Sequence, residues 1–142
     1  MTKVSFFYGT PDRWRSALAW LADAWRARRA VVVYHPDADQ RRRFDHLMWS
    51  QPATGFLPHC DAQSPAAHET PILLCGDLAS IDGNDAVLNL SDDIPAGFTR
   101  FDHLIEFIST EEPVRLAGRE RFKHYRERGY AIESTDLGTL AA

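Results

Sequence analysis

The sequence has little of what marks several large classes of protein. Its two cysteines, Cys60 and Cys75, are too few for a disulfide scaffold and are not spaced as a CxxC pair, so we expect two reduced thiols. The longest apolar run, around 30–34, falls far short of the roughly 20 residues that span a bilayer. A turn at Gly9-Thr10-Pro11-Asp12 comes too early for the apolar region of a signal peptide. We therefore expect a cytoplasmic protein.

Glycine is scarce where a nucleotide-binding fold would need it. The turn after the first apolar run holds only Gly9, followed by Thr10 and Pro11. A dinucleotide site needs several glycines so that the backbone can approach the pyrophosphate, and a P-loop needs its Gly-Lys-Ser/Thr. The turn has neither motif, which argues against nucleotide binding.

The histidines do not form a metal or catalytic set. The sequence has six scattered histidines, which are His35, His46, His59, His68, His103 and His124. They form no HxH or HxxxH pair. His59 and Cys60 are adjacent, but neighbouring side chains on an extended stretch point to opposite faces and cannot pair as base and nucleophile. We expect no metal, no cofactor and no Cys–His catalytic pair.

Short apolar runs alternate with segments of helical period along the whole chain. Strands are predicted over 4–8, 30–34, 71–76, 86–90 and 103–108, and helices over about 12–29 and 37–49. Ser109 followed by Glu112 has the spacing of a capping box, which predicts that a last helix begins there and ends before Gly129. The segment 130–132 is either a final edge strand or folds back on the domain. This order predicts one domain over 1–142, a three-layer α/β sandwich with a mainly parallel, Rossmann-like sheet.

Charge is distributed unevenly. The net charge of -4 predicts no general affinity for nucleic acid. Between Arg115 and Arg128, however, six basic residues stand against two acidic ones, so this segment carries +4 and the remainder of the chain -8. An acidic protein with one basic segment is typical of a molecule that receives one particular anion.

Within that segment, cations and one aromatic ring recur at steps of three and four. One side of the predicted helix holds Arg115, Arg119, Phe122, Lys123 and Arg126. Three interpretations fit: a solvated charged face with the ring turned into the core, a phosphate contact, or a socket for a short acidic peptide end.

A second unusual stretch follows the second predicted helix. Trp49, Phe56 and Pro58 are large rigid groups among turn residues. Buried packing is the default for such groups. Where they are exposed, they form an apolar patch of the kind that anchors a protein interface.

These two stretches resemble the chi subunit of bacterial DNA polymerase III. The resemblance is carried by Leu47-x-Trp49-x-x-Pro52-x-x-x-Phe56-x-Pro58-His59 and by Arg119-Glu120-Arg121-Phe122-Lys123-x-Tyr125-Arg126 with Gly129-Tyr130. It implies a non-catalytic accessory subunit of the clamp-loader complex. Members pair with the psi subunit and bind the acidic, hydrophobic C-terminal tail of single-stranded-DNA-binding protein, so DNA is reached only indirectly.

The resemblance also assigns residues. The tail socket would use Ile108, Arg115, Arg119, Phe122 and Lys123, and the psi-facing patch would use Trp49, Phe56 and Pro58. The family often has Tyr at the place of Phe122 and Lys at the place of Arg115. Phe122 keeps the aromatic ring, and Arg115 keeps the positive charge.

Two other functions compete with this assignment. The first is a nucleotide- or phosphate-binding α/β enzyme that uses the basic C-terminal helix. The second is direct binding of single-stranded DNA, which favours several aromatic platforms along a basic groove. A single ring in the basic segment and an acidic remainder argue against the second.

Overall fold

The computed structural model describes residues 2–50 and 57–140. Its strands are β1 (Lys3–Thr10), β2 (Val31–Tyr34), β3 (His59–Asp61), β4 (Ile72–Cys75), β5 (Ala86–Asn89), β6 (His103–Ser109) and β7 (Ala131–Asp136). Its helices are α1 (Arg13–Arg26), α2 (Ala38–Ser50), α3 (Glu112–Glu127) and the short α4 (Leu137–Leu140). None of the helices within the described ranges is long and apolar enough to cross a membrane.

The strands form one sheet in the order β3-β4-β2-β5-β6-β1-β7. Every neighbouring pair is parallel, as the alternation of strands and helices predicted. The segment after Gly129 is the edge strand β7, which pairs with β1 through Val4 and Ile132. Of the two predicted alternatives for this segment, the edge strand is therefore confirmed.

Helices cover both faces of the sheet, which confirms the three-layer fold. On one face, α1 and α2 pack through Leu18, Leu21 and Phe44 against side chains such as Val33 of β2. On the other face, α3 packs Tyr125 against a second cluster, which includes Val4, Phe6, Val32, Val87, Leu104 and Ile108. Strands buried on both faces read as continuous apolar runs, which is why β2 was visible in the sequence.

The predicted capping box at Ser109 is wrong. Ser109 is the last residue of β6, where it pairs with Thr10 of β1, and it is buried. The helix α3 begins three residues later, at Glu112, and its N-cap residue Glu111 makes no side-chain capping bond. Pro113 in the first turn has a backbone preorganised for a helix start, so the helix begins at this proline rather than at the serine.

Candidate functional site

The basic helix α3 lies unusually close to strand β6. A Cβ atom added at Gly118 would overlap the side chain of Ile108, which is itself buried. Glycine at this position therefore lets the helix backbone rest directly on the isoleucine. This contact fixes which sides of α3 face the sheet and which face outward.

One flank of α3 carries two of the predicted socket cations and the aromatic ring. At 100° per residue, Arg115, Arg119 and Phe122 lie on the same side of Gly118. The ring of Phe122 is half-buried and makes an edge-to-face contact with Phe6 of β1, with 5.3 Å between ring centroids. The flank therefore faces the β1 side of the sheet, and its ring belongs partly to the core.

The arginines of this flank are exposed. Among the described residues, neither Arg115 nor Arg119 makes an ion pair, whereas eight pairs of arginine or lysine with an acidic side chain occur elsewhere in the same ranges. Two cations that lack an acidic partner within about 4 Å keep their full capacity for an external carboxylate or phosphate.

Lys123 lies further round the helix than the other predicted socket residues. It is exposed, and it lines a shallow cleft of about 570 Å³ on the side of α3 that faces away from Arg115 and Phe122. That cleft also contains Asp92, Asp93, Glu120 and Glu127. The structure thus groups Arg115, Arg119 and Phe122 on one flank of α3, next to the contact of Gly118 with Ile108 of β6, with Lys123 at the outer margin of this flank.

The inner side of α3 holds a buried charge network that the sequence analysis missed. Glu106 of β6 is fully buried and accepts hydrogen bonds from Arg121 at 3.1 and 3.2 Å and from the Tyr125 hydroxyl at 2.7 Å. The amide of Asn89 on β5 donates to the same carboxylate at 3.1 and 3.2 Å. These donors satisfy the carboxylate oxygens, whose removal from water would otherwise be costly.

This network changes the meaning of the local charge count. Arg121 is buried and its guanidinium forms an ion pair with Glu106, so it offers no charge to an outside ligand. Burial, together with the Glu106 charge, raises the pKa of the Tyr125 hydroxyl. One signal could have revealed the network: a single glutamate stands inside the apolar run Leu104-Ile105-Glu106-Phe107-Ile108. A charge at a buried strand position needs a partner.

The second predicted surface lies at the end of α2. Trp49 is 59% exposed, and its ring lies 4.7 Å from the ring of His59. The imidazole of His59 is buried between the Leu57 carbonyl, 2.6 Å from Nδ1, and an Asp45 carboxylate oxygen, 3.0 Å from Nε2. Pro58 is half-buried beside it, whereas Phe56 lies outside the described residues.

Two residue pairs that look like catalytic dyads are not arranged as such. His59 and Cys60 lie on β3 opposite Ile72 and Leu73, whose side chains pack on opposite faces of the sheet, as predicted. His103 Nε2 lies 2.6 Å from the Ser5 hydroxyl. Because Arg29 is only a donor, its bond at 3.1 Å to Nδ1 leaves the ring proton on Nε2. His103 therefore donates to Ser5 and cannot activate it as a base.

Titratable groups elsewhere respond mainly to burial. Burial lowers the pKa of His103, and the nearby Arg29 lowers it further. Burial raises the pKa of the Cys75 thiol, and Cys75 and Cys60 are both free. In the ranges 2–50 and 57–140, no group of three His, Cys, Asp or Glu side chains is placed to hold a metal ion.

The fold and these surfaces define the class of the protein: a three-layer α/β domain that presents a basic helix flank and an exposed tryptophan. Comparison with known proteins then gives the family. The family described as "DNA polymerase III chi subunit, HolC" matches residues 1–133. The chain therefore belongs to the DNA polymerase III chi subunit family, which makes it an accessory subunit of a DNA polymerase complex in DNA replication.

Individual relatives agree with this assignment. The chain is 32% identical over 143 residues to DNA polymerase III subunit chi of Pseudomonas aeruginosa. This alignment covers 96% of this chain and 98% of the relative. It is 26% identical to the chi subunit of Escherichia coli (strain K12), over 80% of this chain and 78% of that one. The chi subunit of Haemophilus influenzae is 24% identical over 82% of both chains. The resemblance noted in the sequence is thus confirmed.

Proposed function

We propose that this protein links the clamp-loader complex of DNA polymerase III to single-stranded-DNA-binding protein. In this account it has no catalytic site of its own and binds through two separate surfaces. The α3 flank receives the acidic C-terminal tail of single-stranded-DNA-binding protein, and the Trp49 surface receives a psi-like subunit. Since a replicase works on the chromosome, the proposal also keeps the protein in the cytoplasm.

The observation that carries the tail assignment is the pair of exposed arginines beside a half-buried ring. Arg115 and Arg119 are without acidic partners among the described residues and lie next to Phe122. An acidic peptide end supplies carboxylates for the arginines, and an apolar last residue packs against Phe122 and the Ile108 side of the socket. Lys123, at the outer margin, meets acidic residues further from the peptide end. Charge and apolar contact together fit such a tail better than a free phosphate, which has no apolar part.

The tail assignment is tested by the affinity of an acidic C-terminal peptide for Arg119→Ala. Loss of one charge-assisted contact should weaken binding by about 1.5 to 3 kcal/mol. The matched control is Arg42→Ala, because Arg42 is an exposed arginine on α2 and its side chain is 77% accessible. Undiminished affinity of the Arg119 variant, measured by calorimetry, would reject the assignment.

The psi assignment is supported by the exposure of Trp49. A tryptophan that is 59% accessible, held at the end of a helix beside the buried His59 ring, has the character of an interface anchor. Pro58 adds apolar surface close by, and Phe56, which is outside the described residues, remains part of the proposed patch. A large apolar contact suits a lasting heterodimer.

Co-purification tests the psi assignment independently of the tail. Trp49→Ala should lose a co-expressed psi-like subunit and still bind the acidic peptide. Arg119→Ala is the reciprocal control, since it should keep the subunit and bind the peptide more weakly. A Trp49→Ala protein that co-purifies with its partner at the wild-type ratio would remove Trp49 from the interface.

A further inference from the structure

We propose that Tyr8 is a further residue of the tail socket, and that its ring sets which last residue of the acidic peptide the socket accepts. This inference rests on the proposed function, because it concerns the same site on the α3 flank. Neither the charge pattern nor the resemblance pointed to Tyr8.

The exposure of Tyr8 is the first observation. Its side chain lies on β1, where alternate residues share a face of the sheet. Val4 and Phe6 have the same parity as Tyr8 and are buried in the cluster beneath α3, at 0% and 4% exposure. Tyr8 is 42% exposed on that same face. The core beneath α3 thus ends at an aromatic ring that is open to solvent.

The strand register places this ring beside the socket. Tyr8 of β1 pairs with Ile108 of β6, so the two side chains are neighbours on one face of the sheet. Ile108 of β6 lies directly beneath Gly118 of α3. Tyr8 therefore lies on the neighbouring strand β1, at the height in the sheet where α3 packs on β6. Two residues back along β1, Phe6 contacts Phe122. Tyr8 therefore continues the apolar floor from Phe122 towards the carboxyl end of β1.

Two arginines favour an acidic peptide above this floor, and the acidic cross-strand neighbour of Tyr8, Asp136, accepts a hydrogen bond from the Gly138 backbone N–H. Arg115 and Arg119 lie on the flank of α3 that faces β1, and neither is paired within the described ranges. Tyr8 is 42% exposed, so part of its ring is accessible to a ligand. A terminal carboxylate on the arginines would bring the last side chain down onto the aromatic ring. Aromatic side chains should be preferred there, because ring pairs add attraction beyond simple burial.

The test compares three acidic peptides that differ only in the last residue: phenylalanine, leucine or alanine. Tyr8→Phe keeps the ring and should bind each peptide within about twofold of wild type. Tyr8→Thr removes the ring but keeps strand propensity, and should bind the phenylalanine peptide about tenfold more weakly while the alanine peptide changes little. Tyr8→Leu repeats the test should the threonine variant fail to fold, as judged by its melting temperature.

Arg119→Ala separates this inference from the proposed function. It should weaken all three peptides alike, because its contact is to the carboxylate rather than to the last side chain. A Tyr8→Thr protein that keeps wild-type affinity and selectivity, while Arg119→Ala loses binding, would overturn the role of Tyr8 and leave the proposed function standing. Wild-type protein that binds none of the peptides would overturn both.

Discussion

The two sides of α3 use the same residue types for opposite purposes. On the inner side, Arg121 is buried and its charge is matched by Glu106 at 3.1 Å. On the outer flank, Arg115 and Arg119 are exposed and have no acidic partner among the described residues. The arginines follow one another within seven residues of sequence. Burial and an acidic partner distinguish an arginine that stabilises the fold from one that is available to a ligand.

This difference teaches how to read a basic segment. The local charge of +4 counted every cation equally, although the charge of Arg121 is cancelled inside the protein by a glutamate 15 residues earlier. The free charge of the helix lies on its outer side. The comparison predicts that changes on the inner side alter stability, whereas changes on the outer flank alter binding.

The largest effect should come from Glu106→Ala. This change leaves Arg121 buried without its counter-ion, and removing one member of a buried pair costs about 3 to 5 kcal/mol of the free energy of unfolding. Chemical denaturation measures the loss. Exposed Glu133, whose pair with Lys3 is solvated, is the control: Glu133→Ala should cost no more than about 1 kcal/mol. Equal losses in the two variants would contradict the special role of the inner side.

Gly118→Ala tests the contact that separates the two sides. Alanine favours a helix, but its methyl group overlaps Ile108, and overpacking of this kind costs about 1 to 3 kcal/mol. Thermal or urea unfolding measures the change. Combining it with Ile108→Val, which removes the overlapping Cδ1 atom, should recover part of the loss. A stabilised Gly118→Ala protein would show that the close approach is not required.

Tyr125→Phe removes one donor from Glu106 and should cost about 0.5 to 1.5 kcal/mol at neutral pH. It should also alter the alkaline limb of stability. Because burial raises the pKa of Tyr125, the unfolded chain loses this proton near pH 10 while the folded protein keeps it, so stability falls as pH rises above that value. The phenylalanine variant should show a shallower decline; an unchanged slope would contradict the burial of this hydroxyl.

The smallest effect on stability should be that of Arg119→Ala. An exposed side chain without an ion pair in the described ranges contributes little, so the free energy of unfolding should stay within about 0.5 kcal/mol of wild type. Denaturation curves of the two proteins should overlay, even though peptide binding is weakened. A large destabilisation would mean that Arg119 belongs to the structural side of the helix.

Much of the fold could be predicted because strands and helices differ in apolar period. The predicted runs at 30–34 and 86–90 contain strands whose residues are all buried, 31–34 and 86–89, and were recognisable as parallel strands. The start of α3 was placed too early, because the spacing of Ser109 and Glu112 does not reveal that Ser109 is held in the sheet by its pairing with Thr10. A local sequence motif cannot show that pairing with a distant strand holds this residue in the sheet.

The candidate site was only partly predictable for a similar reason. Helical spacing correctly placed Arg115, Arg119 and Phe122 on one flank of α3. It could not show that Arg121 turns inward to Glu106, since a pairing across 15 residues depends on how the helix packs. The exposure of Tyr8 was equally hidden, because it directly follows Phe6 and Phe7 in one aromatic run.

The most direct test is to map an acidic C-terminal peptide on the isotope-labelled protein by nuclear magnetic resonance. If the outer flank of α3 is the binding surface, the shifted signals should cluster at Ile108, Arg115, Arg119 and Phe122. Arg121 and Glu106, fixed on the inner side, should move less. Shifts concentrated around Trp49, or in the acidic cleft that contains Asp92 and Asp93, would contradict the account.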